Sequence, residues 1–336
     1  WVSSRKGLLS ATFLLLSLIC WLRKERTARD EGYGLLFLLL ALLAKAIAAV
    51  VPAVVLSYDV WIRRKPLAES VARQFVPGLL AVMFLLLTVS SQTTMYGGVR
   101  GHMSLGTFHI LAIDAVILWK YAGSLVWPSA LCVLYDPPPD GIAWAVAMAV
   151  AGWAVVVTAV YRLRRRWPYL RWALLTAFLF LVPVLNLVPI TTLMNDRYLY
   201  LPCVPLFALF AAGTLRVSQL LANVLGRGVS HGMSTACARG FAGVLVAAAL
   251  GASAMCTRNY LPVWRNGLTL WTHAERHLPD LPAVNYQLAD AHYRAGRKRR
   301  AVSLLEHALA QGNADDGDRI RFAKTLSQWR NRDAER

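Results

Sequence analysis

The chain has 336 residues, of which 57% are hydrophobic, and a formal net charge of +18. Long uncharged apolar runs alternate with clusters of arginine, a pattern that indicates a polytopic protein of the lipid bilayer. The positive charge then orients helices across the membrane, so nucleic acid is not a predicted partner. The five cysteines are scattered and form no CxxC pair, so neither a disulfide framework nor a zinc site is predicted.

The first predicted span runs from Gly7 to Leu22, and the basic loop behind it is placed in the cytoplasm. The next apolar stretch, Tyr33 to Trp61, is too long for one helix at about 1.5 Å per residue. We predict two short helices that fold back at Lys45 and return the chain to the cytoplasm, where the basic residues 63–65 belong. A single tilted helix with a snorkelling Lys45 is the alternative.

Phe75 to Thr93 is predicted to cross outward, and residues 94–140 form an external connection that carries little positive charge. Within it, the apolar run from Phe108 to Trp127 contains Asp114 and Lys120. Two charges close to two helical turns apart favour a helix on the membrane surface over a spanning one. The alternative makes this run a span and the preceding stretch of Tyr33 to Trp61 a single helix.

Four later spans are predicted with alternating direction: Gly141–Tyr161 inward, Tyr169–Ile190 outward, Leu199–Leu221 inward and Phe241–Cys256 outward. Four arginines over 162–166 follow the first of these and form the strongest cytoplasmic marker of the chain. A Gly/Ser-rich cytoplasmic linker is predicted over 222–239. The turn at 195–197 and the tail therefore share the non-cytoplasmic side.

The apolar run that precedes Asp196 and Arg197 is interrupted by Pro183, Asn186 and Pro189. Proline breaks backbone hydrogen bonds that lipid cannot replace. Such a break is tolerated where it lines a polar cavity, so a site at the membrane face is predicted here. The alternative is a kinked helix capped by an interfacial ion pair between Asp196 and Arg197.

The tail matches itself at a spacing of about 34 residues, the period of the tetratricopeptide helix–turn–helix repeat. The aligned pairs include Gly267/Ala301, Trp271/Leu305, Ala274/Ala308, Leu288/Phe322, Ala289/Ala323 and His292/Leu326. The predicted fold is therefore all-α, with a polytopic membrane domain over 1–257 and helical repeats over 258–336. Because fewer than three repeats rarely stand alone, we expect the tail to dock on the membrane part or to continue beyond Arg336.

The segment from Asp196 to Pro202, DRYLYLP, is close to a Glu-Arg-Tyr-Leu-Tyr-Leu-Pro motif of the transmembrane-and-TPR protein O-mannosyltransferases, which belong to the GT-C glycosyltransferase superfamily. Further segments that resemble this family are Trp1–Leu9, Leu43–Asp59, Tyr121–Tyr135 and Trp264–Trp271. Together they run nearly end to end. Ala46 departs from the family, which usually has Glu after the lysine.

The resemblance implies transfer of a sugar, with mannose expected, from a polyprenyl or dolichyl phosphate to a protein hydroxyl, with inversion. Departure of the lipid phosphate requires fixed positive charge at the bilayer face. Lys45 and Arg197 are the candidate donor-phosphate ligands, since arginine binds phosphate through two parallel hydrogen bonds and lysine adds a point charge. Asp196 is expected to orient Arg197, while Asn186 and Tyr198 are expected to hydrogen-bond the sugar or phosphate.

The family's acidic catalytic group lies on a first external loop, which would precede Trp1. The catalytic residue is therefore unknown, and the chain is expected to be N-terminally truncated, a state that could leave it inactive. No cofactor and no metal ligand are identified, and participation of a divalent metal is left open. The expected location is a bacterial inner membrane or the endoplasmic reticulum, with the tail in the periplasm or lumen.

Two other functions compete with sugar transfer to an acceptor protein. One is a non-catalytic membrane scaffold whose repeats bind partner proteins, and the other is a lipid-sugar transporter. A transporter should show pseudosymmetric halves with paired broken helices, and no internal repeat is visible in the membrane part. Convergence of Lys45 and Arg197 on one external cavity would favour the enzyme over the scaffold.

Overall fold

A computed structural model describes residues 5–95, 106–128, 131–135, 143–163, 165–186, 194–225, 231–279, 281–310 and 316–334. These residues form thirteen α-helices and no sheet, which confirms the predicted all-α class. The helices are α1 Arg5–Trp21, α2 Ala28–Ala44, α3 Val51–Trp61, α4 Leu67–Met95, α5 Thr107–Val126, α6 Ala143–Leu163, α7 Pro168–Leu181, α8 Tyr200–Leu225, α9 His231–Tyr260, α10 Gly267–His277, α11 Pro282–Arg294, α12 Lys298–Ala310 and α13 Asp316–Ala334.

Within the described residues, five helical segments are long and apolar enough to cross a membrane. They are Leu67–Ser91, Phe108–Val126, Ala143–Leu163, Asp196–Leu220 and Gly240–Trp264. Shorter apolar helical segments cover Ala46–Trp61 and Pro168–Val184. Helices of this number and length are those of a multi-pass membrane protein. Which membrane holds it stays a prediction.

Contacts divide the chain into two compact units. The first unit contains 1–125, 139–191 and 197–214, and the second contains 126–138, 192–196 and 215–336. This division differs from the predicted boundary after residue 257. The second unit takes in α9 and a short part of the connection between α5 and α6, which sequence order alone assigns to the membrane domain.

In the first unit, α1 and α2 pack antiparallel. The Ser17 hydroxyl donates to the backbone oxygen of Gly34 at 2.8 Å, and the Ser10 hydroxyl donates to that of Ala41 at 2.9 Å. All four residues are buried. Small residues allow close approach of two apolar helices, and the hydroxyls satisfy their hydrogen bonds within the protein.

The predicted fold-back at Lys45 is confirmed. Lys45 has extended backbone angles (φ −166°, ψ 134°) after the end of α2, and a 3₁₀ turn over Ala46–Val50 leads into α3. Arg26, just before α2, pairs with Asp59, near the end of α3, at 2.6 Å. The chain therefore returns to the level at which α2 began, and the single-helix alternative for Tyr33 to Trp61 is wrong.

α5 has the length and hydropathy of a spanning helix. Its Trp119 indole donates to the backbone oxygen of Ala149 in α6 at 2.9 Å, and Trp153 of α6 donates to that of Ala115 at 3.1 Å. The two indole rings lie 4.7 Å apart. These contacts support the alternative in which the run from Phe108 to Trp127 crosses the membrane. The single helix over Tyr33 to Trp61, which that alternative also included, is not observed.

The predicted helix break before the Asp-Arg turn is confirmed at Pro183. α7 ends at Leu181 and gives way to a 3₁₀ turn over Val182–Val184. This turn packs beside the Ala46–Val50 turn that follows Lys45. Pro189 lies outside the described residues.

The predicted linker over 222–239 is wrong at both ends. α8 continues to Leu225, and α9 begins at His231. The stretch from His231 to Gly240 contains two alanines and no proline, so no proline stops a helix that continues from the apolar run. Residues 226–230 lie outside the described residues.

In the second unit, consecutive helices of the tail, α10 to α13, pack on one another. The aligned residues Ala274 and Ala308 are both fully buried. The aligned residues Leu288 and Phe322 are almost fully buried. Gly296 adopts φ 78° at the turn from α11 to α12, a conformation that glycine takes without strain. These features fit the predicted helical period, while assignment to the tetratricopeptide class stays a prediction.

A segment of the α5–α6 connection, residues 131–135, docks on the tail within the second unit. Cys132 is buried against Ala274 of α10 and Val284 of α11. The hydroxyl of Tyr260 donates to the backbone oxygen of Leu131 at 2.9 Å. Residues 131–135 thus belong to the same compact unit as the tail, while docking of the tail on the membrane part stays a prediction.

Candidate functional site

Lys45 lies at the fold-back, between α2 and the 3₁₀ turn and outside the five candidate spans. Its backbone oxygen accepts a hydrogen bond from the Ser10 hydroxyl at 3.2 Å, so α1 fixes the position of the turn. The residue is exposed, yet surrounding protein atoms that displace water lower the pKa of its ammonium, and the charge of Arg197 lowers it further. Among the described residues, no carboxylate forms an ion pair with Lys45.

Arg197 lies in a 3₁₀ turn over Asp196–Leu199 that leads directly into α8. The guanidinium carbon lies 5.6 Å from the ring centre of Tyr198, whose side chain is buried. The hydroxyl of Tyr200, at the start of α8, donates to the backbone oxygen of Gly7 at 2.8 Å.

Both predicted phosphate ligands are therefore anchored to the same turn of α1. Gly7 holds the start of α8 next to Arg197, and Ser10 holds the backbone of Lys45. These two hydrogen bonds agree with the electrostatic effect of Arg197, whose charge lowers the pKa of Lys45. Two exposed cations that are near enough to interact form a place where an anion is electrostatically favoured.

Asn186 follows the Val182–Val184 turn and is held by a carboxylate that the sequence analysis assigned to a membrane-surface helix. Its side-chain nitrogen lies 2.6 Å from one oxygen of Asp114, and its backbone nitrogen lies 3.2 Å from the other. Both side chains are buried, with Asn186 1% and Asp114 4% exposed. The signal available in the sequence was a lone carboxylate within an apolar run, which in a membrane protein marks a functional or paired residue.

Asp196 belongs to the second unit, and its described partner is Tyr135. The tyrosine hydroxyl accepts from the Cys132 backbone nitrogen at 2.9 Å and hydrogen-bonds the Asp196 carboxylate. Burial and this carboxylate raise the pKa of Tyr135. An isolated antiparallel bridge joins Tyr135 to Met194 and so fixes the same turn. The predicted orientation of Arg197 by Asp196 stays a prediction.

The structure thus brings Lys45, Arg197, Tyr198 and Asn186 into one compact unit and assigns Asp196 to the other. Within the described ranges, no group of three or more His, Cys, Asp or Glu is arranged to hold a metal ion. What the first unit offers is a pair of fixed cations beside a buried amide–carboxylate pair. That arrangement can bind and stabilise a phosphate, but it supplies no identified general base.

No protein-family profile matches the chain. No curated protein and no solved structure matches it either. The resemblance to the O-mannosyltransferases therefore rests on the quoted segments.

Proposed function

We propose that the protein is a membrane glycosyltransferase that moves a sugar, with mannose expected, from a polyprenyl or dolichyl phosphate to a protein hydroxyl. The observation that carries the proposal is the proximity of Lys45 and Arg197, two cations that are far apart in sequence and tied to the same turn of α1. Like charges repel, so an arrangement that holds them together costs stability and favours an anionic occupant.

A lipid phosphate is the anion that suits this position. As the sugar departs, negative charge grows on the phosphate oxygens, and fixed cations stabilise that charge without reorganisation. Arg197 supplies two parallel hydrogen bonds, and Lys45 supplies a compact charge. Binding of the phosphate would also favour the charged form of Lys45, whose pKa Arg197 otherwise lowers.

Asp114 supports the same site through Asn186. By accepting from both the side chain and the backbone of Asn186, the carboxylate fixes the amide where the broken helix ends. A fixed amide and the phenol of Tyr198 are suitable partners for sugar hydroxyls or phosphate oxygens. Asp196, which precedes Arg197 in the same 3₁₀ turn, remains a supporting residue in this proposal.

The test is transfer of radiolabelled mannose from polyprenyl-phosphate mannose into protein, measured with membranes that contain the full-length protein. We expect Arg197→Gln and Lys45→Gln each to abolish transfer while the protein still inserts and folds. Lys120→Gln is the matched control, because Lys120 is an exposed lysine of α5 that is not part of the candidate site. Unchanged transfer by Arg197→Gln, or an equal loss in the control, would remove the basis of the proposal.

The non-catalytic scaffold is the second candidate, and a specific observation favours it. The tail has a hydrophobic core of its own, which includes the buried side chains Leu288, Leu305 and Phe322, and helical arrays of this kind present surfaces for protein partners. Under this function, wild type and Arg197→Gln would both show no transfer and would bind the same partner through α10–α13. A loss of transfer that is specific to Arg197→Gln and Lys45→Gln excludes it.

A further inference from the structure

A large apolar groove runs along the first unit and is not used by the proposed sugar transfer. Its volume is about 800 Å³, within the range of small-molecule and lipid sites. One wall is a single face of α7, where Leu174, Phe178 and Leu181 follow Arg171 at intervals of three or four residues. Residues of α5, α6 and α8, such as Leu118, Val157 and Leu206, form the rest.

The groove ends in positive charge at Arg171. Its guanidinium carbon lies 3.8 Å from the ring centre of Trp61, the last residue of α3, so the side chain is held in a fixed plane. Three further arginines lie close in sequence, at the end of α6 and in the turn before α7. Arg162, Arg165 and Arg166 are all exposed.

This end is remote from the candidate phosphate site along the hairpin. Lys45 precedes α3, whereas Trp61 ends it. The arginine cluster is also the strongest predicted cytoplasmic marker, while Lys45 is predicted on the opposite side. A ligand with its charge at Arg171 therefore approaches from the other leaflet.

We propose that this groove binds an anionic phospholipid, with an acyl chain along α7 and the phosphate at Arg171. An apolar wall of this length favours a hydrocarbon chain over water. Basic pockets between membrane helices on the cytoplasmic side suit anionic headgroups. The several arginines favour a lipid of net negative charge over a zwitterionic one, and the apolar wall favours a lipid over free phosphate. The inference is independent of sugar transfer.

The experiment is native mass spectrometry of the full chain, purified in detergent and supplied with equal amounts of phosphatidylglycerol and phosphatidylcholine. Wild type should retain phosphatidylglycerol in preference. Loss of a charge-assisted hydrogen bond in Arg171→Gln should reduce that retention about tenfold and leave phosphatidylcholine unchanged. Arg171→Lys should keep part of the preference, because it keeps the charge and loses the planar fork.

Two further variants separate the headgroup from the chain. Lys24→Gln removes an exposed cation at the same predicted side but outside the groove, and it should bind as wild type. Leu174→Trp fills the groove and should reduce retention of both lipids. Its thermal midpoint without added lipid checks that it folds, and Leu174→Phe replaces it if the midpoint falls.

Three results would overturn the proposal. They are equal retention of the two lipids by wild type, equal losses in Arg171→Gln and Lys24→Gln, and displacement of phosphatidylglycerol by inorganic phosphate. The last result would identify a phosphate site rather than a lipid site.

Discussion

The two ends of the α1–α3 bundle handle charge in opposite ways. At the end predicted to be cytoplasmic, Arg26 and Asp59 form an ion pair at 2.6 Å, and their side chains are 2% and 0% exposed. Arg63 also reaches Asp59, at 3.6 Å. At the other end, Lys45 has Arg197 as a neighbour of like charge. The first end is neutralised from within the protein, and the second brings two like charges close to each other.

The difference separates charges that stabilise the fold from charges that the proposed function assigns to a ligand. A buried ion pair holds two segments together, and removing one partner leaves a costly charge in the interior. Repulsion between two neighbouring cations opposes folding. Natural proteins accept such local conflicts at functional sites.

The largest expected effect lies at the neutralised end. Asp59→Ala removes the nearest carboxylate of the buried Arg26, which keeps only Glu31 at 3.7 Å, and should lower the free energy of unfolding by about 3–5 kcal/mol. Denaturant titration in detergent micelles measures the change. Glu69→Gln is the control, since Glu69 forms only partly exposed pairs with Lys65 and Arg73 and should cost about 0–1 kcal/mol. Similar losses in both variants would contradict the comparison.

The second effect lies at the end that contains Lys45 and Arg197, where we expect a loss of transfer without a loss of stability. Lys45→Met should lower sugar transfer by about 10²-fold or more, because a fixed charge that stabilises the transition state is lost. Its free energy of unfolding should not fall, because repulsion with Arg197 is relieved. Transfer kinetics and denaturant titration on the same preparation separate the two. A variant that is destabilised in proportion to its loss of transfer would show that Lys45 is structural.

The third effect concerns the buried amide–carboxylate pair. Asp114→Asn replaces a charged acceptor of two hydrogen bonds and should lower the free energy of unfolding by about 1.5–3 kcal/mol. The thermal midpoint measures it. Asp290→Asn, in an exposed pair with Arg294, is the control and should cost about 0.5 kcal/mol or less. If Asp114→Asn were as stable as this control, the hydrogen bonds between Asp114 and Asn186 would not stabilise the first unit.

The smallest effect lies at the start of α2. Thr27 caps this helix by accepting from the Asp30 backbone nitrogen, while the Asp30 carboxylate accepts from the Thr27 backbone. Thr27→Ala should cost about 1 kcal/mol, measured by denaturant titration. Ala28→Gly in the same helix is the control for propensity alone. An unchanged free energy of unfolding in Thr27→Ala would show that the cap does not stabilise α2.

The same cap makes a prediction about pH. Hydrogen bonds from the backbone and hydroxyl of Thr27 lower the pKa of Asp30, so the unfolded chain takes up the proton first as pH falls. This stabilisation is complete above the unfolded carboxyl pKa of about 3.9 and is lost as pH falls through the lower folded value. Titration of stability at acidic pH should show a smaller acid-dependent loss in Thr27→Ala than in wild type.

Local rules predicted much of the fold. The excess length of the stretch from Tyr33 to Trp61 required a break, and the break falls at Lys45. Pro183 indicated where α7 ends, and the repeat of the tail indicated the burial of Ala274 and Ala308. It was wrong for Ala323, which is aligned with the buried Ala289 but is exposed. Each of these conclusions depends on residues that are close in sequence.

The pairings between distant segments were not predictable in the same way. Arg26 with Asp59 and Asp114 with Asn186 each join segments whose register only the fold determines. The partner of Asp196 was missed because Tyr135 lies in an irregular segment, for which periodicity gives no information. The end of the predicted linker was misplaced because helix termini without proline or a cap carry little local signal.

Residues 131–135 contact two parts of the second unit, the segment that leads to Asp196 and the helices of the tail. Tyr135 is bridged to Met194 and hydrogen-bonded to Asp196. Cys132 is buried against Ala274 of α10 and Val284 of α11, and Tyr135 packs against the same cluster. A change that separated α10 from α11 would displace residues 131–135 and move the Tyr135 hydroxyl away from the Asp196 carboxylate. Within the second unit, residues 131–135 therefore connect the tail helices to the Asp196 carboxylate.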